Sequence, residues 1–177
     1  ASRTPMLART RIVAARGEFK FSADVRSDCA PLWGLVEAAV DAVRAAGGSA
    51  SPDGAEALRF LRDPTRGGLT TVLAELAEES ELGIEVEEAA IPVSPAVRSV
   101  CDLLGYDPLT LANEGKMVLV VAPEAADAVV AAIQKTQYGR EARRIGFVTA
   151  AHPGRVALRT PFGTRRVLDM PVGELLP

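Results

Sequence analysis

Apolar residues recur every three or four positions in four segments of the chain, the spacing that places them on one face of an α-helix. These segments are residues 32–43, 69–77, 94–105 and 123–134. We expect Ser27 or Asp28 to cap the first helix, with Pro31 in its first turn. Thr70 and Thr71 lie off the apolar stripe of the second helix. A serine and a proline begin the third helix and a glycine ends it, which predicts well-defined boundaries.

Strand patterns lie between these helices and after the last one. Residues 56–61 form a short strand candidate, residues 83–88 alternate like an exposed edge strand, and residues 116–122 resemble a strand covered on both faces. Up to three further strands follow in ARRIGFVTA, GRVALRT and TRRVLD, and residues 19–27 alternate weakly. We therefore predict one α+β domain, a mixed β-sheet with helices packed on it, in which residues 1–16 form an arm or the remnant of an incomplete element.

The composition is that of a globular chain with few aromatic residues. The 177 residues suffice for one domain with a sizeable core, which must use aliphatic side chains because aromatic residues make up only 5%. A net charge of -3, with acids and bases interspersed, argues against a nucleic-acid partner. No apolar run approaches the roughly 20 residues that cross a bilayer, and the N-terminus lacks a signal-peptide pattern. We expect a cytoplasmic protein in which Cys29 and Cys101 are buried thiols and not metal ligands.

The stretch LRDPTRGGLTTVLAEL, residues 61–76, places two glycines directly before a helix. The first N–H groups of a helix have no partner inside it, and together with the helix dipole they favour an anion. Arg66 adds a guanidinium suited to phosphate, and Asp63 is suited to a metal ion that bridges phosphates. Glycine pairs also serve ordinary turns, and no Walker or dinucleotide motif is present. Two interpretations stay open: a phosphate cradle, or a turn that requires glycine.

A second cluster is LTLANEGK, residues 109–116, which lies between a helix and an apolar strand. Glu114 follows Asn113 and precedes Lys116 by two positions. A carboxylate at the mouth of a strand is suited to act as a general base when it is desolvated. A solvated acid in a surface turn is the other interpretation. We expect His152, in the sequence AHPGR, to be a solvated turn residue.

Five blocks occur together in one order and spacing: SDCAPL, LRDPTRGGL, PVSPAVRSVCDLLGYDPLTLANEGK, HPGRV and LDMPVGELLP. In that order and spacing they resemble the HypE family of hydrogenase maturation factors, from about residue 10 to residue 177. That family belongs to the ATP-using superfamily of aminoimidazole ribonucleotide synthetase and selenophosphate synthetase. The resemblance implies the C-terminal domain of a larger two-domain enzyme, with a mixed sheet and partly ferredoxin-like topology.

The activity that the resemblance implies is ATP-dependent carbamoyl dehydration. The family receives a carbamoyl group on a C-terminal cysteine thiol and dehydrates this thiocarboxamide to a thiocyanate. The product supplies the cyanide ligands of the nickel–iron hydrogenase centre. Glu114 matches the glutamate of the NEGK block and is implied as the base, with Asn113 orienting it or the substrate. The phosphate side of the cleft would be lined by Asp63, Thr65, Arg66, Gly67 and Gly68.

The resemblance also implies cofactors and partners. ATP and Mg2+ would be bound mostly by an N-terminal domain outside this chain, and the full-length protein would form a homodimer. A carbamoyltransferase maturation factor and an iron-carrying maturation complex would be its partners. The acceptor cysteine would follow Pro177, so we expect the 177-residue chain alone to be inactive and to bind ATP weakly or not at all. Two alternatives stay open: a related synthetase domain acting on a free small molecule, and a non-catalytic ligand-binding or dimerisation module.

Overall fold

The computed structural model describes residues 29–47 and 57–170, which form four α-helices and six β-strands. The helices are α1 (Trp33–Ala45), α2 (Gly68–Ser80), α3 (Pro95–Leu104) and α4 (Pro123–Gln134). The strands are β1 (Leu58–Arg62), β2 (Gly83–Glu87), β3 (Val118–Val121), β4 (Gly146–Thr149), β5 (Val156–Arg159) and β6 (Arg165–Leu168). The predicted α+β class with a mixed sheet is confirmed. The arm predicted at residues 1–16 and the strand predicted at residues 19–27 lie outside the described residues.

The chain divides into two compact units. The first unit includes Pro64–Glu114 and the residues from Ile145 onward, and the second includes Ala30–Asp63 and Gly115–Arg144. The chain therefore leaves one unit and enters the other inside the DPTRGG motif, and does so again inside the NEGK motif. Each motif thus contributes residues to both units.

In the second unit, helices α1 and α4 pack on a two-stranded antiparallel sheet. Strand β1 pairs with β3, and the register places Leu58 opposite Val121 and Arg62 opposite Val118. The buried core consists of Ala39, Val43, Ala57, Ala122, Ala125, Val129 and Ile133. These side chains are small or aliphatic, as expected for a chain with few aromatic residues, and their size lets the helices approach the sheet closely.

Two expectations for the second unit are wrong. Strand β3 is half-buried at all of its positions, so it is not covered on both faces. Among the described strands it pairs with β1. Helix α1 has Leu32 at its N-cap, without a side-chain cap, where Ser27 or Asp28 was expected. Pro31 therefore lies before the helix and not in its first turn, whose first hydrogen bond runs from the Leu35 N–H to the Leu32 carbonyl.

The first unit is built on a four-stranded mixed sheet with the order β4-β2-β5-β6. Strand β2 pairs antiparallel with β4 and parallel with β5, and β5 pairs antiparallel with β6. Because β2 is an interior strand, the expectation of an exposed edge strand at residues 83–88 is wrong. The alternation of apolar and polar residues in β2 has another cause. Ile84 and Val86 are buried and the glutamates between them are half-buried, since a sheet with one covered face needs apolar residues only on that face.

Helix α3 has the boundaries that the sequence predicts. The Ser94 hydroxyl accepts a hydrogen bond from the Val97 N–H at 3.3 Å, and Pro95 is the first helical residue. Gly105 ends the helix in the left-handed conformation, with φ at +70°. No helix among the described residues has the length and apolarity needed to span a membrane.

The two cysteines differ in exposure. Cys101 lies on the buried face of α3 and is 1% exposed, whereas Cys29 precedes α1 and is exposed. The expectation of a buried thiol is therefore confirmed for Cys101 and wrong for Cys29, which precedes α1 and so does not lie on its buried face. Burial raises the pKa of the Cys101 thiol above its ordinary value, and the nearby carboxylates of Asp102 and Asp107 raise this pKa further against the opposing charge of Arg98.

Candidate functional site

The residues that lead into α2 form a tight turn with two glycines in the left-handed region. Gly67, the N-cap, has φ at +71°, and Gly68, the first helical residue, has φ at +65°. The Gly68 N–H donates a hydrogen bond to the Thr65 carbonyl at 3.3 Å. Other residues adopt such φ values only with strain, so this turn by itself accounts for the glycine pair.

Gly68 also touches another segment of the first unit. A Cβ atom at this position would lie 2.5 Å from the carbonyl oxygens of both Leu109 and Leu111, and 2.8 Å from the carbonyl carbon of Thr110. These separations are shorter than real Cβ contacts allow, so the backbone of residues 109–111 passes where a side chain would be. The observation favours the interpretation of a turn that requires glycine. The phosphate cradle stays a prediction.

The first turn of α2 nevertheless holds polar groups that have no partner among the described residues. The N–H groups of Leu69 and Thr70 donate no hydrogen bond to any part of the chain that the structure describes. The hydroxyl oxygens of Thr70 and Thr71 also lack a partner there, although these residues are only 3% and 7% exposed. Their burial contradicts the expectation of polar positions off the core. Helix α2 packs on β2 and β5 and also against residues 108–110, and the 109–111 backbone lies against Gly68 in its first turn.

This cluster of unpaired donors is the feature that sequence reasoning missed. Each buried group without a partner costs about 1–3 kcal/mol, and such groups usually indicate an ordered water or a ligand that the protein chain does not supply. N–H groups and hydroxyls all donate hydrogen bonds, and a helix N-terminus carries a partial positive charge, so the complementary group is an acceptor or an anion. The available signal in the sequence was the pair of threonines directly after GGL.

Residues 107–114 form a loop that reaches the DPTRGG motif. The Asp107 carboxylate accepts a hydrogen bond from the Leu109 N–H at 2.9 Å and begins a short 3-10 helix, Pro108–Thr110, in which Leu109 is buried. The Asn113 N–H then donates to the Pro64 carbonyl at 2.9 Å. This bond places the start of the NEGK motif beside the DPTRGG motif in the first unit, although about 50 residues separate them in the sequence.

Both predicted catalytic residues lie at the end of this loop. Asn113 is half-buried, and its side-chain amide donates to the Leu111 carbonyl at 2.7 Å. Glu114 is half-buried as well. Its exposure is intermediate between that of a desolvated base and that of a solvated acid, the two interpretations that the sequence left open. Its carboxylate forms no hydrogen bond or ion pair with the described residues.

The predicted phosphate-binding residues divide between the two units. Thr65, Arg66, Gly67 and Gly68 belong to the first unit, where Arg66 is exposed and Thr65 is half-buried. Asp63 is exposed and belongs to the second unit. Within residues 29–47 and 57–170, no group of three or more His, Cys, Asp or Glu side chains is arranged to hold a metal ion. The donors around α2 suit an anion better than a cation.

Comparison with protein families matches residues 10–159 to the family model described as "AIR synthase related protein, C-terminal domain". The chain belongs to this family. Among relatives of the AIR synthase related domain, the carbamoyl dehydratase HypE of Rhizobium leguminosarum bv. viciae is 45% identical over 166 residues, which are 94% of this chain and 44% of that protein. The carbamoyl dehydratase HypE of Bradyrhizobium diazoefficiens is 44% identical over 166 residues, 94% of this chain and 45% of that protein. The chain spans about half the length of the curated relatives it matches.

Solved structures agree with this assignment. The hydrogenase maturation protein HypE is 38% identical and superposes with a TM-score of 0.82 over 99% of this chain and 53% of that one. HypE in complex with ATP is 37% identical, with a TM-score of 0.78 over 97% of this chain and 50% of that one. A HypE–HypF complex gives 35% identity and a TM-score of 0.78 over 95% of this chain and 51% of that one. The resemblance to HypE and the α+β fold that it implied are confirmed.

Proposed function

We propose that this chain is the C-terminal domain of a two-domain enzyme that uses ATP to dehydrate a thiocarboxamide on its own C-terminal cysteine. The product is a thiocyanate, from which the cyanide ligands of a nickel–iron hydrogenase centre are supplied. The observation that carries the proposal is the hydrogen bond from the Asn113 N–H to the Pro64 carbonyl, because it brings the segment that leads into Glu114 beside the DPTRGG motif. The carbamoyl dehydratase activity named for relatives that are 45% and 44% identical supports the same assignment.

The reaction removes the oxygen and both nitrogen protons of the carboxamide. ATP, when bound, supplies a phosphoryl group for the amide oxygen, so that oxygen departs as phosphate and ADP is the other product. The carbon–oxygen bond breaks while the carbon–nitrogen bond becomes a triple bond, and the protons leave the nitrogen. A base is therefore needed near the nitrogen, and a set of hydrogen-bond donors is needed near the departing oxygen.

Glu114 is the residue in this chain suited to accept a nitrogen proton. Its carboxylate has no partner among the described residues. Because Glu114 is half-buried, fewer water molecules compete with a substrate for this carboxylate. Asn113 is anchored at both its backbone N–H and its side-chain amide, so it fixes the direction in which the chain enters Glu114. A base held by its neighbours contributes typically about 10²–10⁴-fold to a rate.

The start of α2 is the part of the chain suited to the phosphate side of the reaction. It offers the N–H groups of Leu69 and Thr70 to an anion, and the exposed Arg66 adds a guanidinium that forms paired hydrogen bonds with phosphate oxygens. The solved complex of HypE with ATP, in a protein 37% identical to this chain, supports a nucleotide in this family. Asp63 is the carboxylate of the DPTRGG motif that we propose for Mg2+, and we assign most magnesium and ATP ligands to the N-terminal domain.

The partners follow from the same proposal. The source of the carbamoyl group is a HypF-type carbamoyltransferase, which is supported by the HypE–HypF complex of a protein 35% identical to this chain. The acceptor of the cyanide is an iron-carrying maturation complex. The full-length enzyme is proposed to be a homodimer, with the main contacts in the N-terminal domain.

The proposal is tested on the full-length protein, carbamoylated at its terminal cysteine and supplied with Mg-ATP. Mass spectrometry of the terminal peptide should show the loss of one water in the wild type. Glu114→Gln should reduce the rate of this loss by at least about 100-fold, while ATP affinity changes little. Glu79→Gln, an exposed position on α2, is the matched control and should react at the wild-type rate.

Two results would contradict the proposal at different levels. A Glu114→Gln protein that loses water as fast as Glu79→Gln removes the base assignment. A wild-type protein that hydrolyses ATP but leaves the terminal thiocarboxamide unchanged, and dehydrates a free small carboxamide instead, removes the proposed substrate and supports the related synthetase.

A further inference from the structure

Strand β6 places an arginine on the core-facing side of the sheet. Arg166 lies directly opposite Leu158, which is fully buried, and residues directly opposite in an antiparallel pair share one face. Two residues further along β6, Leu168 lies opposite Val156 on the same face, and both are buried. The Arg166 side chain is 45% exposed, so its guanidinium lies at the rim of this face and not within the core.

The partner of Arg166 is the residue that begins the loop before the candidate base. The Nη2 atom of Arg166 donates to Oδ2 of Asp107 at 2.9 Å. The other carboxylate oxygen, Oδ1, accepts from the Leu109 N–H. The backbone carbonyl of Asp107 also accepts from the Thr110 hydroxyl at 2.9 Å. Asp107 is therefore held by β6 on one side and holds the 3-10 turn on the other.

The loop beyond Asp107 carries this constraint to the candidate site. The carbonyls of Leu109 and Leu111 lie against Gly68, and the Asn113 N–H binds the Pro64 carbonyl. We infer that the Arg166–Asp107 pair positions the 107–114 loop on the start of α2, and thereby sets where Glu114 meets its substrate. The inference rests on the proposed function and adds Arg166 and Asp107 to it as positioning residues that do not touch the substrate.

The other ion pairs on the sheet provide a matched comparison. Arg165, the neighbour of Arg166 on β6, pairs with Glu85 at 3.5 Å on the opposite face of the sheet. Arg159 pairs with Glu87 at 3.2 Å. Neither pair contains a residue of the 107–114 loop. All three pairs are partly exposed, and such pairs add little to global stability. A loss of rate confined to Arg166 therefore reports on the loop and not on unfolding.

The test measures the single-turnover rate of water loss from the carbamoylated full-length protein at saturating Mg-ATP. Arg166→Met keeps the aliphatic stem and removes the charge, and Arg165→Met is the control. We expect the dehydration rate to fall about tenfold in Arg166→Met, because small displacements of a catalytic group slow the chemical step steeply. ATP affinity and the thermal midpoint should match those of Arg165→Met. Arg166→Lys, which restores a positive charge, should recover part of the rate.

Asp107→Asn gives an independent arm of the test. It preserves an oxygen that accepts from the Leu109 N–H but removes the charge that binds Arg166. The rate should fall as in Arg166→Met, and the double variant should be no slower than either single variant, since both changes break one contact. Equal rates in Arg166→Met and Arg165→Met, or additive losses in the double variant, would overturn the inference and leave the proposed function intact. A wild-type protein that does not dehydrate its terminal thiocarboxamide would instead overturn the proposed function.

Discussion

Replacement of Gly68 by alanine tests how the two candidate motifs are held together. The new Cβ would lie 2.5 Å from two carbonyl oxygens of the 109–111 backbone, whereas ordinary contact begins at 3.4 Å. The backbone of these residues must therefore recede by about 0.9 Å, or α2 must shift by a similar distance. Neither movement leaves the Asn113–Pro64 hydrogen bond in its present geometry, so the effect reaches Glu114.

Gly105→Ala is the matched control for this change. Gly105 has φ at +70°, close to the +65° of Gly68, but nothing lies within 4 Å of a Cβ at that position. An alanine in the left-handed region costs about 1–2 kcal/mol at either site. Overpacking against the 109–111 backbone adds about 1–3 kcal/mol at Gly68 only. The difference between the two variants therefore isolates the contact between Gly68 and the loop.

Both variants are compared by urea unfolding of the 177-residue chain, followed by circular dichroism. The single tryptophan, Trp33, is 69% exposed and would report poorly by fluorescence. We expect Gly68→Ala to lose about 1–3 kcal/mol more of the free energy of unfolding than Gly105→Ala. In the full-length protein, Gly68→Ala should also slow dehydration by up to about 100-fold. A Gly68→Ala variant as stable as Gly105→Ala would refute the reasoning, because the 109–111 backbone would then not press on Gly68.

Further predictions concern the thiols and a helix cap. In the folded 177-residue chain, iodoacetamide should modify the exposed Cys29 rapidly and Cys101 only after denaturation, and equal rates at the two thiols would contradict the burial of Cys101. Because the pKa of Cys101 is raised in the folded state, its contribution to stability is complete below the ordinary value of 9.0 and is lost as pH rises from there through the folded pKa. The stability difference between wild type and Cys101→Ala, measured by urea unfolding, should shrink by up to about 1.4 kcal/mol per pH unit in that window, and a constant difference would count against the shift. Ser94→Ala should lower the free energy of unfolding by about 1 kcal/mol, because it removes the hydrogen bond to the Val97 N–H. Ser99→Ala on the same helix should have little effect. Equal losses of stability in the two variants would contradict a specific contribution of the Ser94 cap.

The helices were the part of the fold most readily predicted. Helical spacing and local punctuation identify α3 almost to the residue, because Ser94, Pro95 and Gly105 act within one turn of the backbone they terminate. Pairing between strands was harder to predict. The alternation of β2 is the same for an edge strand and for an interior strand of a sheet with one covered face, so only its neighbours β4 and β5 decide its place.

In the candidate site, too, local features could be predicted from the sequence and contacts between distant segments could not. The glycines and Glu114 stood out because their residue types and spacing suggest chemistry, and the resemblance to HypE connected them. The burial of Thr70 and Thr71 was missed because it depends on which segments cover α2. Residues 108–110, which pack against α2, are about 40 positions away in the sequence. The place of Arg166 on the sheet was equally hidden. An arginine in TRRVLD resembles a solvated charge until the register with Leu158 places it on the core-facing side.

The sequence by itself determined the α+β class, the helix boundaries set by local capping, and the family to which the chain belongs. These depend on periodicity and short motifs, which act over a few residues. The tertiary structure alone decided that β2 is an interior strand, that Gly68 is required by the 109–111 backbone as well as by its own φ, and that Asn113 binds Pro64. These are contacts between segments far apart in the chain. Their formation depends on how the whole first unit packs, and no local pattern of residues encodes that.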